Sequence, residues 1–221
     1  MQTLWSGQRH YTVRSVRAQH VFLPVLSTLN SLGPRIADGR APAPPGPAGP
    51  TGESGDRTVQ DNIDSAFLRL VQTRYSCRRY DPGRPVTEED ISHCLRAARA
   101  APSACNRQPW RFVVVREAAL RRTLCTDGLL PGLRQEWTLD APVVVVLCAK
   151  LDVLTHRVAP AVSGLPYWLI DMGIAGEHFV LAATERGLGT CWIGWFRERA
   201  VKKTLNIPRA VRVASLLTVG C

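Results

Sequence analysis

Periodic patterning of apolar and polar positions begins only after about residue 60. Over residues 62–73, Ile63, Phe67, Leu70 and Val71 recur at helical spacing, which predicts an amphipathic helix running into Arg74. Thr87-Glu88-Glu89-Asp90 reads as a capping box with acids in the first turn, and Ile91, Cys94, Leu95 and Ala98 carry the apolar stripe onward to a stop at Pro102. Trp110–Val115 and residues 142–148 are β-branched runs bounded by proline or charge, hence buried strands, with a looser helical stretch over 118–124 between them. Residues 167–186 are mostly apolar and free of proline, which predicts a buried central helix ending at Gly187. A strand over 190–195, a short helix over 198–205 and a last strand over 211–219 complete the series. This irregular alternation predicts an α+β fold, a mixed β-sheet flanked by helices.

Before residue 60 the pattern is of another kind. Residues 41–56, APAPPGPAGPTGESGD, hold no hydrophobic period that could build a core, and read as a linker or tail. Residues 1–37 carry Arg9, Arg14, Arg17 and Arg35 with no acid, a loose likeness to an organellar targeting peptide. A disordered extension and an upstream stretch translated from a wrongly assigned start both fit. The expected division is therefore a low-complexity extension over 1–60 and one folded domain over 61–221.

Composition narrows the function classes. The 221 residues include 28 Lys plus Arg against 18 Asp plus Glu, a net charge of +10, and 45% are hydrophobic. Wholesale disorder is excluded, and the longest apolar run, residues 143–149, falls far short of the roughly 18–20 residues that cross a bilayer. Basicity of this size suits nucleic acid, an anionic surface or a phosphorylated small molecule. No helix-turn-helix, zinc or RNA-binding aromatic pattern accompanies the charge, so nucleic acid is the weakest of the three. Seven cysteines, odd in number and without a Cys-x-x-Cys pair, argue against a closed disulfide framework and for a reducing, cytoplasmic setting. The five scattered histidines give no metal-ligand spacing.

Three segments carry candidate chemistry. In Arg74-Tyr75-Ser76-Cys77-Arg78 two guanidinium groups four residues apart flank a hydroxyl, a set that can hold one phosphate, although two such arginines on a helix are more often a solvated face than an anion site. Residues 101–110, APSACNRQPW, form a polar loop stiffened by two prolines between a capped helix and a buried strand. Residues 187–196, GLGTCWIGWF, lack the spacing of a dinucleotide-binding glycine fingerprint and mark only a close backbone approach.

In this order the segments resemble the FMN-dependent nitroreductase family: Arg-x-Ser-x-Arg, then Pro-Ser-x-x-Asn-x-Gln-Pro-Trp-x-Phe, then Asp-x-Gly-Ile-Ala before Gly-Leu-Gly-Thr-Cys-Trp-Ile-Gly. The likeness runs from about residue 63 to the end. It implies a homodimer with FMN at the subunit interface, passing hydride from NAD(P)H to a small acceptor such as a nitroaromatic or quinone. By position it assigns Arg74, Ser76 and Arg78 to the FMN phosphate and ribityl end, with backbone from Tyr75. Pro102, Ser103, Ala104 and Asn106 would reach the same flavin from the partner subunit, Ala104 through its backbone alone. Gly194 and Trp195 fall where backbone N–H groups face flavin N5 and O4. Arg134 and Trp137 lie near positions where relatives carry Asn and Lys, which makes Arg134 a candidate at the ring. No protein nucleophile or metal is implied. Many relatives continue past the last strand into a tail bearing a cation near the phosphate, whereas the sequence stops at Cys221, which implies weaker phosphate binding or dimerisation, or an incomplete sequence. The reading from another class is a flavin-binding sensor or scavenger without turnover.

Overall fold

The structure, a computed structural model, describes residues 65–81, 83–130, 136–152 and 164–221 together with the backbone of Gln19–Val21. Most of the expected extension and its boundary near residue 60 lie outside the described residues.

Helix α1 (Ala66–Thr73) is capped by the Ser65 hydroxyl and α2 (Glu88–Arg99) by Thr87. At α2 the capping box closes in both directions: Asp90 N–H donates to Thr87 Oγ1 at 3.1 Å and Thr87 N–H to Asp90 Oδ2 at 3.0 Å. Helix α3 (Ala118–Thr123) runs into a π-helical turn over Leu124–Gly128. The long helix α4 (Tyr167–Glu185) ends as expected. Gly187 takes a φ of +71°, and the amides of Gly187 and Leu188 donate back to Thr184 and Ala183. Helix α5 spans Glu198–Leu205.

The strands are β1 (Gln19–Val21), β2 (Trp110–Val115), β3 (Val143–Lys150), β4 (Gly189–Ile193) and β5 (Val211–Gly220), ordered β1-β2-β3-β5-β4. Every ladder is antiparallel. The parallel element of the expected mixed sheet is a single bridge between Ser76 and Thr190. β1 has no counterpart in the sequence reading, because three residues are too few for a period to show. β4 stops two residues short of its expected end, and Gly194 and Trp195 leave the ladder for reasons given below.

Helices cover both sheet faces, which is why β3 is apolar along its length rather than alternating. On one face α2 and α4 bury Leu95, Ala98, Met172 and Phe179 against Phe112, Leu147 and Leu217, with the Phe112 and Phe179 rings stacked 6.0 Å apart. On the other, Leu124, Val201, Leu205 and Ile207 close over Val113, Val146 and Ile193. Phe179 and Phe112 are each at most 1% exposed, so truncating either costs about 3–5 kcal/mol. Among the described residues no helix is long and apolar enough to cross a membrane, and no cluster of His, Cys, Asp and Glu could hold a metal ion. The seven cysteines are free thiols; burial pushes Cys94 and Cys148 up to about 12, so they stay protonated members of the core.

Candidate functional site

Arg74 is the residue at which α1 stops. Its φ of −64° and ψ of 127° turn the chain into extended conformation, and three residues later Cys77 N–H donates to the Thr190 carbonyl at 2.9 Å. The segment thus runs beside the start of β4. Along it Cys77 and Tyr80 are buried, while Tyr75, Ser76, Arg78 and Arg79 are exposed. A close approach makes this possible, since a Cβ at Gly189 would lie 2.6 Å from that of Cys77. The buried Tyr80 hydroxyl donates to the Cys77 carbonyl at 2.9 Å and touches the Thr218 hydroxyl at 2.6 Å. Burial raises the Tyr80 phenol pKa, which keeps that donor protonated. A hydrogen bond with the Cys77 thiol raises the Tyr75 phenol pKa as well.

Two cations are held on this frame. Arg74 lies 4.0 Å from Glu177 in the middle of α4, and the Arg78 guanidinium lies 6.0 Å above the Trp137 ring. Trp137 in turn packs on Tyr80, ring to ring at 6.4 Å, so it supports the segment that carries Arg78. Arg134 lies outside the described residues.

At the far end of β4, a second anchor fixes Gly194 and Trp195. Phe196 bridges Leu129, Leu130 N–H donates to the Trp195 carbonyl at 3.2 Å, and Arg197 N–H donates to the Gly128 carbonyl at 2.7 Å. These bonds draw the chain off the sheet toward the π-helical turn and end the strand at Ile193. A Cβ built at Gly194 would meet no atom within 4 Å, and the Trp195 indole is 53% exposed. From Thr190 to Gly194 is four strand positions, roughly 13 Å at the usual rise. A guanidinium and hydroxyl end, a strand of that length, and open space before backbone fit an elongated molecule with an anionic terminus and a flat ring, which FMN is. Trp192 lies between the two ends, its indole laid across α4 at Gly176, where an added Cβ would collide with it.

The second segment also packs on α4. Pro102, Ser103, Ala104 and Asn106 lie between α2 and β2, in a loop whose Ala104–Asn106 forms one 3₁₀ turn. Ala104 N–H donates to Asp171 Oδ1 in the first turns of α4 at 2.9 Å, and its carbonyl accepts from Arg107. The backbone of Ala104, expected to serve a ligand, is thus engaged inside the chain. Ser103 Oγ accepts from Gln108 N–H at 2.8 Å and Asn106 Oδ1 from Gln108 Nε2 at 2.8 Å. Arg74 meets α4 at Glu177, six residues or about 9 Å along the helix from Asp171. The Arg74 segment and the Ala104 loop thus both pack on α4 of one chain.

Sequence reasoning met Asp171 only as the acid of the Asp-x-Gly-Ile-Ala motif, without a role of its own, and left out the supporting role of Trp137. The signal for Asp171 was available, an acid on the buried side of an apolar helix; none marked Trp137. An open depression of about 1060 Å³ between α3 and α5, walled by Asp127, Arg197, Glu198 and Lys203, holds none of the motif residues.

Comparison with known proteins reaches the same segments. The Nitroreductase family profile matches residues 71–129 and 125–221. A putative NADH dehydrogenase/NAD(P)H nitroreductase of Archaeoglobus fulgidus is 34% identical over 163 residues, covering 69% of this chain and 83% of that protein. A nitroreductase family protein of Clostridium novyi NT superposes with a TM-score of 0.63 at 30% identity, over 71% of this chain and 84% of the other. The fold is also that of an FMN-dependent nitroreductase from Clostridium difficile, with a TM-score of 0.55 at 24% identity over 68% and 84% of the two chains. Fold, motif order and matched residues coincide, and the chain belongs to the nitroreductase family.

Proposed function

We propose that the protein is an FMN-dependent oxidoreductase that takes hydride from NAD(P)H and delivers it to a small acceptor, a nitroaromatic or a quinone, as a homodimer with FMN at the subunit interface. The observation that carries this reading is the Ser76–Thr190 bridge, which sets Arg74, Ser76 and Arg78 along the same strand that leads to Gly194 and Trp195. Arg74 and Arg78 would neutralise the phosphate, Ser76 would donate to it, and Gly194 and Trp195 would offer backbone N–H groups to the ring. Bound FMN supplies the two-electron chemistry. The chain's own part is to bind, orient and polarise, and no side chain is assigned as nucleophile or general acid.

One feature supports the dimer. Helix α1 buries none of its residues, and Phe67, Leu68 and Val71 stay exposed, as do Leu169 and Ile170 of α4. An apolar face of this kind marks an interface. The test is steady-state turnover of the FMN-loaded protein: NADH or NADPH consumption that rises with added quinone or nitroaromatic supports the reading. Reduction of bound flavin without transfer to any acceptor would leave a flavin-binding role instead.

A further inference from the structure

The loop from Ser103 to Gln108 is held in an unfavourable shape. Cys105, Asn106 and Gln108 have φ of +50°, +50° and +48°, a left-handed conformation that non-glycine residues adopt only where the surroundings impose it. Cys105 and Asn106 are exposed, so packing on their side chains does not impose it. The constraint comes from bonds within the loop, Asn106 N–H to the Ser103 carbonyl and Gln108 N–H to Ser103 Oγ, and from an anchor at each end. Lys150 N–H donates to the Pro109 carbonyl at 2.8 Å on the β2 side, and on the α2 side Ala104 N–H is held by Asp171. Asp171 is 3% exposed, on the face of α4 that otherwise buries Met172, Ala175 and Phe179. A carboxylate there costs far more than a leucine unless hydrogen bonds offset its desolvation, and the bond it makes runs to the one loop that carries Ser103 and Asn106. Ser103 Oγ already accepts from Gln108, so its own proton stays available to an acceptor on a ligand.

We propose that Asp171 is a positioning residue for the cofactor loop. Its carboxylate fixes Ala104, and through Ala104 the left-handed turn that presents Ser103 and Asn106 in a single arrangement. The assignment rests on the FMN reading above for its purpose, though not for its geometry. The experiment uses the full chain and two readouts, amide hydrogen exchange of the apo protein over residues 103–108 and FMN affinity by fluorescence titration. Asp171→Ala removes the acceptor. Ala104→Pro removes the donor from the exposed side, at a first helical position that proline tolerates and after a residue, Ser103, whose φ of −149° and ψ of 157° suit a following proline.

In each variant, loop exchange should quicken about tenfold or more while the C-terminal half of α4 keeps its protection, and FMN Kd should rise about tenfold or more. Asp171→Asn, whose amide oxygen still accepts from Ala104, should restore both to within about threefold of wild type. Unchanged loop exchange in a folded Asp171→Ala or Ala104→Pro variant would overturn the proposal; should Asp171→Ala fail to fold, Ala104→Pro decides. A wild-type protein that binds no FMN would refute the functional reading while the exchange measurement still judged Asp171.

Discussion

Arg78 is stacked over Trp137, which itself leans on Tyr80. A charge-assisted bond from guanidinium to phosphate is worth about 1.5–3 kcal/mol, so Arg78→Ala should raise FMN Kd by about 10- to 100-fold without shifting the thermal midpoint. Arg78→Lys should recover only part of it, because an ammonium neither forks onto two oxygens nor stacks as a plane. Titration of the three proteins with FMN checks this. At this scale the sequence singled out Arg74, Ser76 and Arg78 by residue type and spacing, and the structure sets them on one segment bridged to β4 through Ser76. The sequence was silent on Trp137, whose role comes from a contact between positions 59 residues apart. Ala104 shows another limit: that its backbone is engaged by Asp171 is a fact of tertiary geometry that no local pattern encodes.

Among the elements, α2 is bounded by its cap. A hydrogen bond from the Thr87 hydroxyl, then the Thr87 amide and Arg186, hold the Asp90 carboxyl below the usual carboxylate range against the opposing effect of burial. The folded pKa is depressed, so the stability Asp90 contributes is present above its unfolded pKa and is lost as pH falls through the folded one. Thr87→Ala should cost about 1 kcal/mol at neutral pH by urea titration, and the gap to wild type should narrow below about pH 4 as Asp90 takes up its proton. Helix α1 makes the opposite case, for Phe67, Leu68 and Val71 on it are covered by nothing among the described residues. Phe67→Glu should leave the fold intact, convert a dimer to a monomer by light scattering, and weaken FMN binding together with it. Helices and central strands were legible in the sequence because their periods run for two turns or more, and α5 was bounded to the residue. The π-helical turn, the left-handed loop and β1 were not, since each is shorter than one period and is held by bonds to distant segments.

For the molecule as a whole, the sheet lies between two helical layers, and β4, at one of its edges, carries the proposed site. Under that proposal the net charge of +10 takes on a local meaning, with Arg74 and Arg78 serving the phosphate of FMN. The central claim is that this edge binds FMN and that the bound flavin takes hydride from a nicotinamide. Stopped-flow mixing of the FMN-loaded protein with NADH and NADPH under anaerobic conditions tests it most directly. The account predicts rapid bleaching of the flavin absorbance band with at least one of the two donors; a protein that gains no flavin spectrum on incubation with FMN, or whose bound flavin keeps its oxidised spectrum with both, would contradict it.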